Sequence, residues 1–299
     1  MNLTKKQFEI ASALLVVYIL WGGTYLAMKI GIETIPPFML AGTRFFLAGI
    51  ILYVYAKLRG ATNATFDNWR TSGIIAALLL LGGNGVVCWA EQTVPSGIAA
   101  LLIATVPLWI LIIGYFGKEK IKHSKGSMFG VVLGLIGIAI LVLPNSISPQ
   151  SSSSIDPFGL FAILLASFSW SIGSMYSRKV NHHSSALLSN GMQMLLGGIF
   201  LLITSFLLGE FSGFQIQDVS MRSIWGYLFL VVFGSIIAYS AFVWLLRNAE
   251  PLWVSTYAFV NPIVAVFLGY FLANEVLGLN SIISSVVIIL SVVIITIFK

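Results

Sequence analysis

Charged side chains are scarce, making up 9% of the 299 residues, where soluble domains carry about 25%. Hydrophobic residues reach 58%, above the roughly 45–50% of ordinary domains. A soluble chain of this length needs far more polar surface, which excludes a soluble enzyme, a nucleic-acid binder and a disordered scaffold. Cysteine occurs once, as Cys88, so no intrachain disulfide can form. The three histidines, His123, His182 and His183, fall between apolar runs and far from that cysteine, so no metal site is expected. A GxxxxGK[ST] phosphate loop is missing, which argues against ATP hydrolysis by this chain, and no cofactor is expected. No carboxylate stands at the centre of an apolar run, so the sequence shows no buried midplane acid of the kind a proton antiporter uses.

What the chain does have is long apolar runs. A helical span needs about 20 apolar residues, whereas barrel strands alternate over about ten. The runs are unbroken, so the chain reads as an all-α polytopic membrane protein. Ten transmembrane helices are predicted, at 9–31, 37–56, 71–91, 94–116, 126–143, 157–177, 186–208, 223–246, 252–273 and 278–298. Lys5 and Lys6 before the first run resemble a signal-peptide start. That run is too long and lacks a small-residue cleavage site, so it is read as a retained span.

Charge placement gives the orientation. With the N-terminus in the cytoplasm, 13 of the 16 basic residues fall inside: Lys5, Lys6, Lys57, Arg59, Arg70, Lys118, Lys120, Lys122, Lys125, Arg178, Lys179, Arg247 and Lys299. Cytoplasmic loops carry such an excess, and it accounts for the net charge of +6 without nucleic acid. Lys29 and Arg222 lie outside, and Arg44 lies within a span. Glu33, Glu91, Asp156, Glu210, Asp218 and Glu275 lean to the outer side. Both termini are therefore predicted to be cytoplasmic.

The two halves echo one another. WGGTYLAMK (Trp21–Lys29) returns as WSIGSMYSR (Trp170–Arg178), 149 positions later. At the same offset AGTRFFLAG answers to SNGMQMLLGG, setting Arg44 against Gln193. VPLWILIIGYFGKE returns as NPIVAVFLGYFLANE, with Pro107 and Pro262 155 apart. An odd number of spans per unit forces the second unit to enter the membrane upside down. The expected architecture is thus two inverted five-helix repeats, 1–143 and 157–299, joined by an extracytoplasmic Ser- and Pro-rich linker, 144–156. Secondary transporters of this build hold substrate near the midplane, where the repeats meet.

These residues resemble a known family, and the resemblance covers nearly the whole chain. Trp21-Gly22-Gly23-Thr24-Tyr25, Pro36-Pro37 with Arg44-Phe45, Asn84-Gly85 with Ala90-Glu91, Pro95-Ser96-Gly97-Ile98-Ala99-Ala100-Leu101, and Asn261-Pro262 with Glu275 look like the EamA family of the drug/metabolite transporter superfamily. The run from Asn84 to Leu101 and the Asn261–Glu275 segment look like its YedA-type branch of bacterial inner-membrane exporters. Gly117-Lys118-Glu119 departs from the usual Gly-Glu and leaves Glu119 without an implied role. The resemblance implies export of metabolites or drugs from the cell, across the inner or plasma membrane.

Candidate site residues follow from depth and helical spacing. Trp21, Thr24 and Tyr25 share one face, as do Trp170 and Ser174, and both tryptophans fall near mid-span. Trp and Tyr usually mark the interfaces, so deep ones suggest an aromatic-walled cavity for an amphipathic or aromatic solute; ordinary helix packing is the alternative. Asn84, Cys88 and Glu91 share a face of the third span. Tyr239, Tyr257 and Asn261 are deep polar-tipped residues, and with Asn84 they complete the predicted substrate set. Pro107 and Pro262 interrupt helical hydrogen bonding and suggest hinges. Arg44 carries a charge within a span and should face a partner or water. Either it pairs with Glu91 as an outer gate or proton-linked pair, or it snorkels to the outer interface.

Gly126, Gly130 and Gly134 form a stripe suited to close helix approach, either within the chain or in a homodimer. The expected function is alternating-access export of small organic solutes, with the lipid bilayer as surroundings, as a monomer or homodimer. A passive facilitator or channel is the rival, and an integral-membrane enzyme a weaker one.

Overall fold

The computed structural model describes residues 5–94, 99, 102–116, 124–146, 156–273 and 279–298. All extended regular structure among them is helical. The helices are α1 (Lys5–Gly31), α2 (Pro37–Leu58), α3 (Phe66–Ala90), α4 (Val106–Phe116), α5 (Lys125–Ser146), α6 (Pro157–Lys179), α7 (Ala186–Leu207), α8 (Met221–Asn248), α9 (Pro251–Ser255), α10 (Tyr257–Ala273) and α11 (Leu279–Ile297). Among the described residues, α1, α2, α3, α6, α7 and α8 are each long and apolar enough to cross a membrane. Most of the linker 144–156, the 117–123 loop and Glu275 lie outside the described residues.

Helix starts follow local chemistry. Thr65 and Asn68 form a reciprocal capping box at α3, so that helix begins at Phe66, five residues before the predicted 71. Asp156, Ser185 and Ser220 cap α6, α7 and α8. Pro36 precedes α2 and gives it no side-chain cap. Glu210 supplies one from across the fold, accepting from Phe38 N (3.1 Å) and Met39 N (2.8 Å). Gly60 and Gly209, just past the ends of α2 and α7, both take positive φ, the left-handed conformation that glycine adopts at helix C-termini without strain.

Lipid tails are as apolar as leucine, so close packing rather than hydrophobic exclusion joins spans. The α2–α7 pair shows it. A Cβ on Gly49 would stand 2.5 Å from Leu195 N, and one on Gly198 equally close to Phe46 N. The predicted glycine stripe of α5 meets the C-terminal end of the same chain, with Gly126 against Phe298 and Gly130 against Ile295.

Two spans depart from the α-helix at matching places. Ala76–Gly85 in α3 and Leu230–Tyr239 in α8 are π-helical. Widened turns of this kind recur at functional sites. Each offers a carbonyl to a neighbouring helix: Ser169 donates to Leu78 O (2.8 Å), and Trp21 Nε1 to Gly234 O (3.2 Å). The predicted ninth span is also interrupted, at Thr256 between α9 and α10.

Candidate functional site

Between these helices lies a cavity of about 80 Å³. Trp21, Thr24, Tyr25, Asn84, Trp170, Tyr239, Tyr257 and Asn261 all line it, as does Arg44. The structure therefore brings together eight of the nine predicted substrate residues. Ser174 is the exception. It is buried and donates to the Trp170 carbonyl of its own helix (2.8 Å), and it is not among the lining residues. Sharing a helical face with Trp170 was not enough, because a serine hydroxyl readily folds back onto the preceding turn.

The wall is an aromatic cluster. The Trp21 ring meets Trp170 edge-on at 5.6 Å and Tyr257 at 4.9 Å, and Phe242 lies 4.9 Å away. Such geometries are the favourable ones for aromatic quadrupoles. Thr24 bonds the Trp21 carbonyl (2.7 Å). Tyr239 donates to Gln193 Oε1 (3.0 Å). In the orientation that satisfies both ends of its amide, Asn261 donates to the carbonyls of Tyr18 (3.2 Å) and Tyr257 (3.0 Å).

Arg44 is 2% exposed, so it does not snorkel to the outer interface. Its Nη2 donates to Asn84 Oδ1, and its guanidinium carbon stands 4.5 Å from the centre of the Phe45 ring. Glu91 follows the last turn of α3. Both its carboxylate oxygens are buried without a hydrogen-bond partner, and Glu91 is not in the cavity lining. The direct Arg44–Glu91 ion pair is not formed among the described residues.

Neither predicted proline touches the cavity. Pro262 lies inside α10, whereas Pro107 is the second residue of α4, after a turn at Ala104-Thr105. Both interruptions carry a threonine that bonds its own i−3 carbonyl, Thr105 to Leu102 (2.5 Å) and Thr256 to Trp253 (2.6 Å). Each also reaches another helix, Thr105 to Ser167 (3.0 Å) and Thr256 to Tyr18 (2.5 Å).

Sequence reasoning missed Met28, Gly83, Ser167 and Gly234 in the lining, and Phe242 packed against both tryptophans. Met28 follows from Thr24 and Tyr25 by helical spacing. The two glycines enter through the π-helical turns, which leave no compositional mark. Among the described residues no group of His, Cys, Asp and Glu could hold a metal ion.

Comparison with known proteins agrees with this architecture. The EamA-like transporter family matches residues 9–143 and again 157–297. An uncharacterized inner membrane transporter, YedA of Escherichia coli strain K12, is 39% identical over 292 residues, covering 96% of this chain and 90% of its own. The uncharacterized transporter YoaV of Bacillus subtilis strain 168 is 26% identical, covering 91% of each chain. A solved crystal structure with 17% sequence identity superposes with a TM-score of 0.75 over 96% of this chain and 98% of its own, a likeness of fold. The chain is a multi-pass membrane protein and belongs to the EamA-like transporter family.

Proposed function

We propose that the protein is a secondary carrier that exports small organic metabolites, amino-acid-like or amphipathic aromatic solutes and drugs among them, by alternating access. One observation carries the reading: a single aromatic cavity draws its walls from both halves of the sequence, with Trp21 against Trp170. Ten spans, in inverted halves 1–143 and 157–299 about the linker 144–156, would put that cavity where the repeats meet. Paired features support the repeat. Gly60 and Gly209, both at positive φ, lie 149 apart, as do Tyr18 and Ser167, which bond Thr256 and Thr105. Arg44 holds Asn84 as Gln193 holds Tyr239, at offsets of 149 and 155.

In this reading Trp21, Thr24, Tyr25, Asn84, Trp170, Tyr239, Tyr257 and Asn261 receive the solute. Arg44 and Glu91 gate the outer side, and the interruptions ahead of Pro107 and Pro262 are the hinges. About 80 Å³ is well below the roughly 300–1,000 Å³ of ligand pockets, so loading requires the surrounding helices to part. The glycine stripe of α5 is occupied within the chain, which favours a monomer in the bilayer. A facilitator without ion coupling is the second reading, favoured by a cavity whose described lining contains no carboxylate.

Counterflow in proteoliposomes tests both. A carrier accelerates entry of labelled solute when unlabelled solute waits inside, and Trp170→Ala should abolish that acceleration. Flux without trans-stimulation would leave the facilitator.

A further inference from the structure

We propose that the cavity selects solutes whose one net charge is a carboxylate, set beside a flat apolar body, and that Arg44 is the docking point for the carboxylate. The inference rests on the cavity being the solute site and narrows what it accepts.

Arg44 is the single charged side chain among the described residues of the lining, and it is almost wholly buried. Its hydrogen-bond partners, Asn84 and the Met28 sulfur, are both neutral. Its Nε has no hydrogen-bond partner, and no carboxylate stands at ion-pair distance from it among the described residues. A buried cation without a counter-charge in contact is costly. Glu91 acts on Arg44 through space from beyond ion-pair distance, so the guanidinium has no carboxylate in contact with it, and an arriving anion can take that place. A carboxylate fits best, because the planar guanidinium offers parallel donors at matching spacing. The Phe45 ring, its centre 4.5 Å from the guanidinium carbon, adds a cation–π contact that leaves the charge unpaired.

The rest of the wall fixes the body of the solute. Trp21 meets both Trp170 and Tyr257 edge-on, and a wall of such rings suits a flat apolar group. The same rings would attract an ammonium through cation–π contact, but here it would lie in the field of Arg44 with no acid in the described lining to pair it. A zwitterionic amino acid carries the same unpaired ammonium. The geometry thus favours a monoanion over a cation, a zwitterion or a neutral analogue.

Four probes share one ring and differ in charge: indole-3-acetate, indole-3-acetamide, tryptamine and L-tryptophan. Calorimetric titration into the purified full chain should rank indole-3-acetate at least about tenfold tighter than the others. Arg44→Gln, checked as monodisperse, should bring all four within about twofold of one another, while Arg44→Lys keeps part of the preference. Equal or tighter binding of tryptamine or tryptophan to the wild type overturns the proposal, and that ranking needs no variant. Preference for the acid retained in Arg44→Gln overturns the role given to Arg44. Acid-selective binding without counterflow would remove the transport reading and leave this one standing. Counterflow driven by tryptamine and not by the acid would do the reverse.

Discussion

A Cβ on Gly83 would stand 2.6 Å from the Trp170 ring, so the residue that is missing a side chain is what lets the indole lie against α3. Gly83→Ala should push Trp170 out of the cavity wall and destabilise the protein by about 1–3 kcal/mol, the usual cost of overpacking. Altered tryptophan fluorescence together with lost counterflow would check it. Gly73→Ala serves as control, since its nearest neighbour, Leu196 Cδ1, is at an ordinary 3.5 Å. His182, in the loop after α6, poses a different single-residue question. Burial and the nearby Arg247 guanidinium hold its imidazole below the usual range, and the Ser177 carbonyl it meets at 2.6 Å acts the other way. A lowered folded-state pKa means that the unfolded chain takes up this proton first as pH falls. The contribution is therefore present above the unfolded value near 6.5 and is lost as pH falls below it toward the folded value. Melting temperature should drop as the pH falls below about 6.5, and His182→Gln should flatten part of that drop.

The tie between α2 and the loop after α7 depends on one carboxylate. Glu210 accepts from Phe38 N, Met39 N and Ser205 Oγ, supplying the cap that Pro36 does not. Glu210→Ala should cost about 1–2 kcal/mol, read as a lower melting temperature, with Glu210→Gln losing less because one acceptor oxygen remains. Elements of this kind also mark the limit of what the sequence discloses. The starts of α2, α6 and α7 are legible at Pro37, Pro157 and Ala186, because apolar composition and the preceding residues change together there. The start of α3 is not, because Asp67, Asn68 and Arg70 look like loop while the Thr65–Asn68 box folds them into a helix. The break at Thr256 and the two π-helical turns coincide with hydrogen bonds to helices distant in sequence, and apolar composition runs through them unchanged. The cavity was legible where aromatic residues stand too deep for an interface, at Trp21 and Trp170. It was illegible at Gly83 and Gly234, whose contribution is an absence of side chain.

Large apolar side chains such as Leu15 and Ile19 on α1, Ile203 and Phe206 on α7 and Val286 and Ile289 on α11 are exposed on the outside of the molecule. An exterior of that kind suits hydrocarbon and leaves orientation to the loops. The bias of basic residues predicts that the 117–125 loop, which includes Ser124, and both termini face the cytoplasm. The structure ties two of those together, because Ser124 Oγ donates to Phe298 O at 2.9 Å. One label at position 124 therefore reports the side of the C-terminal end as well. Cys88→Ser gives a cysteine-free background at little expense, since the buried thiol makes only a 3.5 Å contact with Pro37 O that a hydroxyl can take over. On that background an impermeant maleimide added to intact cells should mark Ser152→Cys in the linker and spare Ser124→Cys until the membrane is opened. The reverse labelling would turn the molecule over. Arg44 and Glu91 would then guard the cytoplasmic side, and the route proposed for export would have to be read as a route inward.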